Sequence, residues 1–347
     1  MEPNTSKQAN AVLKRYGLEN ATVKPVSVGL INLTYEVENS GTHYILQRVN
    51  PIFPAEIHAD IAVVTETLAQ RGLATPRLLP NDSGELCSML DGEIWRLLSH
   101  VDGRTLQVIT EPAQASAAAA VLARFHGALW ELNHSFQIRP SVHETAKHLK
   151  GLADALQMHR AHTHYREAAL LAKKITRFST ELQSLPTVPE RIAHGDPKIS
   201  NVIFEHDSNT AICLVDLDTL GPMALPLELG DAVRSWCNPY GEDSEGSFFS
   251  LEIFEAVIEG YASYAPADME RAEWQAIVTG TEIIFTELAA RFCADALNEC
   301  YFGWDASHFE SRSEHNLVRA TGQLAAAVSL RAQRQDAAAV VARHAPV

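Results

Sequence analysis

Basic residues are scarce in this chain. Lys and Arg number 28 against 43 Asp and Glu, a formal net charge of −15 over 347 residues. A surface this acidic repels phosphate backbones and anionic lipid headgroups, which argues against nucleic acid or a membrane as the main partner. It still admits a nucleotide where a local cluster of cations and Mg2+ supplies positive charge. Long apolar runs are missing too. Nothing reaches the roughly 18 uninterrupted apolar residues of a membrane helix. The longest alanine-rich run, ASAAAAVLARFHGAL, is broken by Arg124 and His126 and reads as a buried helix. The opening MEPNTSKQAN has no apolar centre of the signal-peptide kind, so the cytoplasm is the expected location. Cysteine is sparse: Cys87, Cys213, Cys237, Cys293 and Cys300 form no C-x-x-C pair. Free thiols are expected, rather than disulfides or zinc. Internal repeats and low-complexity tracts are absent. What remains, 46% hydrophobic and 20% charged, is an ordinary globular composition with room for two lobes.

The first hundred residues carry strand signals. A short helix is expected over residues 9–16. ATVKPVSVGLINLTYEVEN and HYILQRVN alternate and are rich in β-branched residues, with turns at Gly29–Ile31 and at NSGT. They read as three antiparallel strands. In AEIHADIAVVTETLAQRG the apolar positions Ile57, Ile61, Val64 and Leu68 share one helical face, and Gly72 ends the helix. TPRLLPN and GEIWRLLSHV add two strands around NDSGE. Residues 1–99 are thus expected to form a lobe of five strands and one helix, 100–105 a hinge, and 106–347 a mostly helical lobe. One strand-like insert, from about 190 to 220, interrupts the helices.

That insert holds HGDPKISN, residues 194–201, an ionisable loop between apolar segments. From His194 the spacing is H-x-D-x-x-x-x-N, the spacing of a protein kinase catalytic loop. In such a loop the Asp accepts the proton of the acceptor hydroxyl and the Asn ligates Mg2+. Those positions are Asp196 and Asn201. Lys198, two residues after the Asp, places an ammonium where it could neutralise a transferring phosphoryl group. AICLVDLDT follows as an apolar strand, and alternation along it would put Asp216 and Asp218 on one side, facing the loop. A hairpin whose Asp and Asn merely cap turns is the structural alternative. It does not account for the Lys and the second acidic strand.

At these residues the chain resembles the aminoglycoside phosphotransferase and choline kinase-like superfamily. HGDPKISNVIF, LVDLDT and LELGDAVR carry the resemblance. Within it, GLINLTYEV, YILQRVN, HGDPKISNVIF with VDLDTLGP, and ELAARFCADALNECYF are similar to N-acetylhexosamine 1-kinases. The resemblance implies an α+β, bilobal protein kinase-like fold, with a small antiparallel-sheet N-lobe and a larger helical C-lobe. It implies Mg2+ and ATP, and transfer of the γ-phosphoryl group to a hydroxyl of a small metabolite, with the anomeric hydroxyl of an N-acetylhexosamine or related sugar as the expected acceptor. Asp196 resembles the catalytic base and contacts the acceptor, with Lys198 beside it. Asn201 and Asp216 resemble the metal ligands, and Asp218 a further acidic contact. Arg291 and Tyr301, in AARFCADALNECYF, fall to the acceptor. The plainer reading of Arg291 is an i,i+4 surface pair with Glu287.

The nucleotide side departs from the usual pattern. The third strand reads YILQRVN, with Gln47 and Arg48 where a Lys is customary. Arg48 is the expected phosphate contact, with Asp60 or Glu66 as its partner on the following helix. The first turn, VGLIN, has one Gly. Gly29 would allow close backbone approach, and Asn32 or Thr34 would bond phosphate; a plain hairpin turn is the alternative. His100 and Val101, in LLSHVDG, should offer backbone groups to the adenine. Asp231, in LGDAVR, is expected to cap a helix and brace the catalytic loop. His159, His162 and His164, in MHRAHTHY, read as a solvated helix end rather than a metal site, and His126 as a packing residue.

Two other functions are weighed. A protein kinase is disfavoured because D-F-G is absent and too few residues separate Asp216 from Gly230 for an activation loop. A silent nucleotide-binding module would not need Asp196, Lys198, Asn201 and Asp216 together. Choline or an amino alcohol, homoserine and an aminoglycoside stay open as acceptors. Trp236, Tyr240, Phe248 and Phe249 are the aromatic residues available for a cation cage.

Overall fold

The computed structural model describes residues 3–26, 31–139 and 143–345. The chain divides into two compact units: residues up to Asp102 together with Glu131–Arg139, and Gly103–Trp130 together with the chain beyond residue 139. The return of Glu131–Arg139 to the first unit has no signal in the sequence. It is tied there by Asp60, whose carboxylate accepts from His134 Nε2 at 2.7 Å and from the backbone N–H groups of Gln137 and Ile138.

The first unit is a six-stranded antiparallel sheet with two helices. Helix α1 (Pro3–Lys14) is followed by β1 (Thr22–Pro25), β2 (Leu33–Asn39) and β3 (Thr42–Arg48). Next come α2 (Ile57–Gln70), β4 (Leu78–Leu79), β5 (Ser88–Leu90) and β6 (Glu93–Ser99). The order is β1-β2-β3-β6-β4, with β5 also paired to β6. Strand β5 is one more than expected. Asp91 (φ 53°) and Gly92 (φ 82°) both take positive φ, the geometry of a primed hairpin turn. That turn folds Ser88–Leu90 back onto β6. The sheet's α1 face buries Tyr35, Val37, Leu46, Trp95 and Leu97 against Ala9, Val12, Leu13 and Leu18. Ile57, Ile61, Val64 and Leu68 are buried along one face of α2, as its periodicity requires. Gly29 and the turn it was expected to form lie outside the described residues.

The second unit opens with β7 (Arg104–Thr105) and α3 (Pro112–Leu129), in which Ala115, Ala118, Ala119 and Ala123 are buried. Then come α4 (Thr145–Met158), α5 (Tyr165–Ser179), β8 (Glu190–Ala193), β9 (Val202–Phe204), β10 (Ala211–Leu214) and β11 (Gly221–Ala224). Helices α6 (Leu225–Trp236), α7 (Leu251–Ala262), α8 (Arg271–Gln275), α9 (Ile277–Asn298), α10 (Arg312–Ala332) and α11 (Arg334–His344) complete it. Helix α9 packs against α4, α5, α6 and α10 and is buried nearly all round. It meets α6 where Gly280 lies so close to Pro226 that an added Cβ would fall 1.9 Å from a carbonyl oxygen. Only residues without side chains let these two helices come so near. The small sheets β10-β9-β7 and β11-β8 carry the catalytic-loop segment. Among the described residues no helix is long and apolar enough to cross a membrane.

Candidate active site

The loop 194–201 leaves β8 and enters β9 through a 3-10 turn at Ile199–Asn201. Gly195 makes that path possible. Its φ is +85°, and a Cβ there would stand 2.3 Å from the Thr219 carbonyl oxygen. Three contacts fix the loop's start. Thr219 Oγ1 donates to the His194 carbonyl at 2.9 Å. The buried Glu228 of α6 accepts from the backbone N–H of His194 at 2.8 Å and from that of Gly195 at 3.0 Å. His194 Nε2 lies 2.9 Å from the Val215 carbonyl, so it carries the hydrogen, and Nδ1 is left to accept from the Asp196 N–H at 3.3 Å. Burial alone would raise the Glu228 carboxyl, but the neighbouring His126 and the loop's N–H groups hold it below its ordinary value. It therefore stays a carboxylate with both oxygens accepting. Asp231 was expected to brace the loop and cap the helix. It lies instead in the interior of α6 and pairs with Arg234 at 2.9 Å, while Glu228, one turn earlier, does the bracing. The run of apolar residues around Glu228 in LPLELGDAV was the available signal, because a carboxylate placed there must find donors.

Asp196, Lys198 and Asn201 are brought together as their spacing predicts. Asp196 Oδ2 accepts from Lys198 Nζ at 2.6 Å and from Asn201 Nδ2 at 3.1 Å. Asp196 Oδ1 takes no hydrogen bond among the described residues. The side chains of Asp196 and Lys198 are 25% and 36% exposed, so the pair opens to solvent. Burial would raise the Asp196 carboxyl, and the Lys198 ammonium more than offsets it, holding the group below its ordinary value. Lys198 is correspondingly raised. Burial opposes its charge, but Asp196 and Asp216 favour it. Arg234 extends the cluster, with Glu242 Oε1 at 2.6 Å from its Nη1.

Asp216 and Asp218 do not share a strand face. Strand β10 ends at Leu214. Asp216 then takes a left-handed φ of 66°, and Asp218 lies buried in a 3-10 turn. Alternation therefore does not apply to them. Asp216 is nevertheless carried to Asn201, because the Val215 N–H bonds the Asn201 carbonyl at 2.9 Å. Asn201 spends its amide N–H on Asp196, and its Oδ1 takes no hydrogen bond among the described residues. An amide oxygen and a carboxylate are hard donors of the kind Mg2+ prefers, and a site of two protein ligands completed by phosphates and water is usual for that ion. The residues therefore fit Mg2+. Among the described residues no group of three or more His, Cys, Asp or Glu could hold a metal.

Arg291 and Tyr301, the residues expected at the acceptor, are adjacent. The guanidinium carbon lies 5.6 Å from the Tyr301 ring centre and 5.4 Å from that of Phe302. Asp295 holds that turn in place, accepting from the N–H groups of Cys300, Tyr301 and Phe302 at 2.8–3.0 Å. The surface pair between Arg291 and Glu287 does not form. Glu287 is buried and accepts from His143 and Thr145. Among the described residues Arg291 makes no ion pair. The aromatic set does not converge. Trp236 and Phe249 are core residues, and only Tyr240 and Phe248 are exposed, edge to face at 5.5 Å.

Asn32, Thr34, Gln47, Arg48, His100 and Val101 all belong to the first unit. Thr34 and Gln47 are opposite each other on β2 and β3, and Gln47 Nε2 donates to Thr34 Oγ1 at 3.1 Å. Gln47 Oε1 accepts from Nε of the buried Arg96 at 2.9 Å. Arg96 was missed by sequence reasoning; it stands beside Gln47 only because β3 pairs with β6. Asn32 Oδ1 accepts from the Asn50 N–H at 2.9 Å. The expected partners of Arg48 are engaged elsewhere, Asp60 with His134 and Glu66 with Arg77. Period-2 alternation also turns Arg48 and Gln47 to opposite faces of the sheet. His100 and Val101 follow β6, half-buried.

A carboxylate beside a cation, with hard oxygen donors next to them on a buried-carboxylate scaffold, is an arrangement suited to group transfer. Residues 22–273 match the phosphotransferase enzyme family. The chain belongs to that family and is a phosphotransferase with an alcohol group as acceptor. It is 24% identical over 330 residues to a homoserine kinase of Methylobacillus flagellatus, covering 88% of this chain and 91% of that one. Its fold matches a microcompartment-associated aminopropanol kinase with a TM-score of 0.64, at 14% identity and over 96% and 98% of the two chains. An aminoglycoside phosphotransferase of Alicyclobacillus acidocaldarius matches with a TM-score of 0.62, at 16% identity and over 94% and 96%. The fold is thus α+β and protein kinase-like.

Proposed function

We propose that the enzyme is a Mg-ATP-dependent kinase of a small polyhydroxylated metabolite, with an N-acetylhexosamine or related sugar, phosphorylated at its anomeric hydroxyl, as the preferred acceptor. The observation that carries the kinase reading is the division of labour within Asp196. Oδ2 is held by Lys198 and Asn201, and among the described residues Oδ1 takes no bond and is left for a hydroxyl. A carboxyl this acidic is a weak base. Its main work is to orient the acceptor hydroxyl and to take the proton as the new O–P bond forms. Lys198, kept charged, screens the phosphoryl oxygens. Asn201 and Asp216, with Asp218 a further contact, are the residues that would hold Mg2+, which when bound would neutralise charge on the nucleotide phosphates. Asn32, Thr34, Gln47 and Arg48 are proposed for the phosphate side of ATP, and the backbone of His100 and Val101 for adenine.

The sugar reading rests on Arg291 and Tyr301. A planar guanidinium with five donors and no carboxylate partner suits a ligand offering several oxygens, and an adjacent ring suits a pyranose face. The dispersed aromatic residues disfavour a quaternary ammonium. Homoserine is the second reading. The relative named above supports it, and the same Arg291 could fork a carboxylate. A panel of hexoses, N-acetylhexosamines, homoserine, choline, amino alcohols and aminoglycosides, followed by ADP release and phosphorus NMR of the product, decides. A 1-phosphate from an N-acetylhexosamine is expected, and faster turnover of homoserine would replace the sugar reading.

A further inference from the structure

One buried polar atom near these residues has no partner among the described residues. His143 precedes α4, and its side chain is 3% exposed against a fully buried Glu287 on α9. His143 Nδ1 lies 3.0 Å from Glu287 Oε1, and since a carboxylate only accepts, Nδ1 carries the hydrogen. The dyad is locked further. Thr145 Oγ1 donates to Glu287 Oε2 at 3.0 Å, and His148 Nε2 stands 3.7 Å from Oε1. The opposite nitrogen, His143 Nε2, is buried and has no hydrogen-bond partner among the described residues. Burial lowers the affinity of this ring for its second proton, but Glu287 and the nearby charge of Asp231 raise it above the ordinary value, against Arg291. When the ring carries that second proton, Nε2 is a buried N–H donor with no acceptor among the described residues, an arrangement that costs stability unless a ligand completes it.

The neighbours say which ligand. Glu287, which holds His143, lies one helical turn before Arg291 on α9, and α6, which carries Asp231 and the Glu228 that clamps the loop 194–201, packs against α9. The atom therefore shares its surroundings with the base and with the residue assigned to the acceptor. We infer that His143, oriented by Glu287, is a further acceptor-binding residue whose Nε2–H donates to a hydroxyl or carbonyl oxygen of the substrate. This rests on the reading that Arg291 faces an acceptor with several oxygens.

Two substitutions separate the ring's nitrogens. In His143→Asn the amide nitrogen can replace Nδ1, so the bond to Glu287 survives and the outer donor is lost. In His143→Gln the amide nitrogen can replace Nε2. The best acceptor of the panel is used, whatever it proves to be. For His143→Asn we expect acceptor KM to rise roughly 10–100-fold, the usual cost of one lost bond to a protonated donor. KM for ATP and the melting temperature should stay near wild type, and His143→Gln should recover most of the acceptor affinity. A melting temperature that falls in both variants with unchanged acceptor KM overturns the inference, leaving His143 a packing residue. A rise confined to KM for ATP overturns it also. If His143→Asn does not fold, His143→Gln decides alone: a tenfold rise in its acceptor KM refutes the role. If the best acceptor is not a sugar, the sugar reading fails while this test still stands.

Discussion

Glu228→Gln probes how the catalytic loop is held. The wild-type carboxylate accepts two backbone N–H groups, from His194 at 2.8 Å and Gly195 at 3.0 Å, from a position with no solvent exposure. Gln has nearly the same volume, so packing is kept. One of its two ends is now an NH2, which must face a backbone N–H. One charge-assisted hydrogen bond of about 1.5–3 kcal/mol is lost, and a buried N–H is left unpaired at about 1–3 kcal/mol. Taking about 3 kcal/mol as the net cost, and about 2–4 °C per kcal/mol for a cooperative unit of some two hundred residues, the melting temperature should fall by about 6–12 °C. Asp196 follows directly on the clamped N–H groups, and misplacing a reacting group by about 1 Å can cost about 100-fold in rate. Calorimetry and steady-state kinetics would be read together, with Glu228→Asp as the control that keeps the charge and shortens the reach. A Glu228→Gln enzyme with wild-type melting and kcat would refute the claim that an ionised carboxylate holds this loop.

Asp196→Asn should lower kcat by roughly 10²–10⁴-fold with little change in ATP affinity, and near-normal turnover would remove Asp196 as the base. Asp216→Ala should weaken ATP binding in the presence of Mg2+ but not in its absence; calorimetry giving equal losses in both would move the metal role, with Asp218 the first candidate. Gly195→Ala combines a φ of +85° with a Cβ 2.3 Å from the Thr219 oxygen, so little folded enzyme should be recovered, and a soluble, active variant would contradict the loop geometry. Asp243 is opposed by burial, yet His315 and Arg319 hold its carboxyl down to about 2, from an ordinary 3.8. A depressed carboxyl contributes stability that is present above pH 3.8 and lost as pH falls towards 2. Arg319→Gln should thus move the acid-unfolding midpoint upward within that window, and an unmoved midpoint in acid titration would show that the pair does not stabilise the fold.

Local chemistry was legible where the chain itself sets the geometry. Asp196, Lys198 and Asn201 meet because a short loop and a 3-10 turn leave them no other arrangement, so their spacing sufficed. The amphipathic face of α2 was legible for the same reason: a helix repeats every 3.6 residues whatever surrounds it. The strand ending at Leu214 was harder. The left-handed turn at Asp216 is set by the loop it must meet; Asp enters that conformation more readily than most residues, but the preference does not single out one Asp of a chain.

From the sequence one could read the class of chemistry, the order of a sheet-rich segment before a helical one, and the meeting of Asp196, Lys198 and Asn201 in one loop. Tertiary structure alone decided which groups complete them. Glu228 reaches His194 from 34 residues away, Arg96 reaches Gln47 from 49, and Glu287 reaches His143 from 144. Each is a buried charge whose partner is set by how helices and strands pack. A buried charge must be paired, but a linear sequence states only that obligation. The crossing of α6 over α9 and the pairing of β3 with β6 choose the partner.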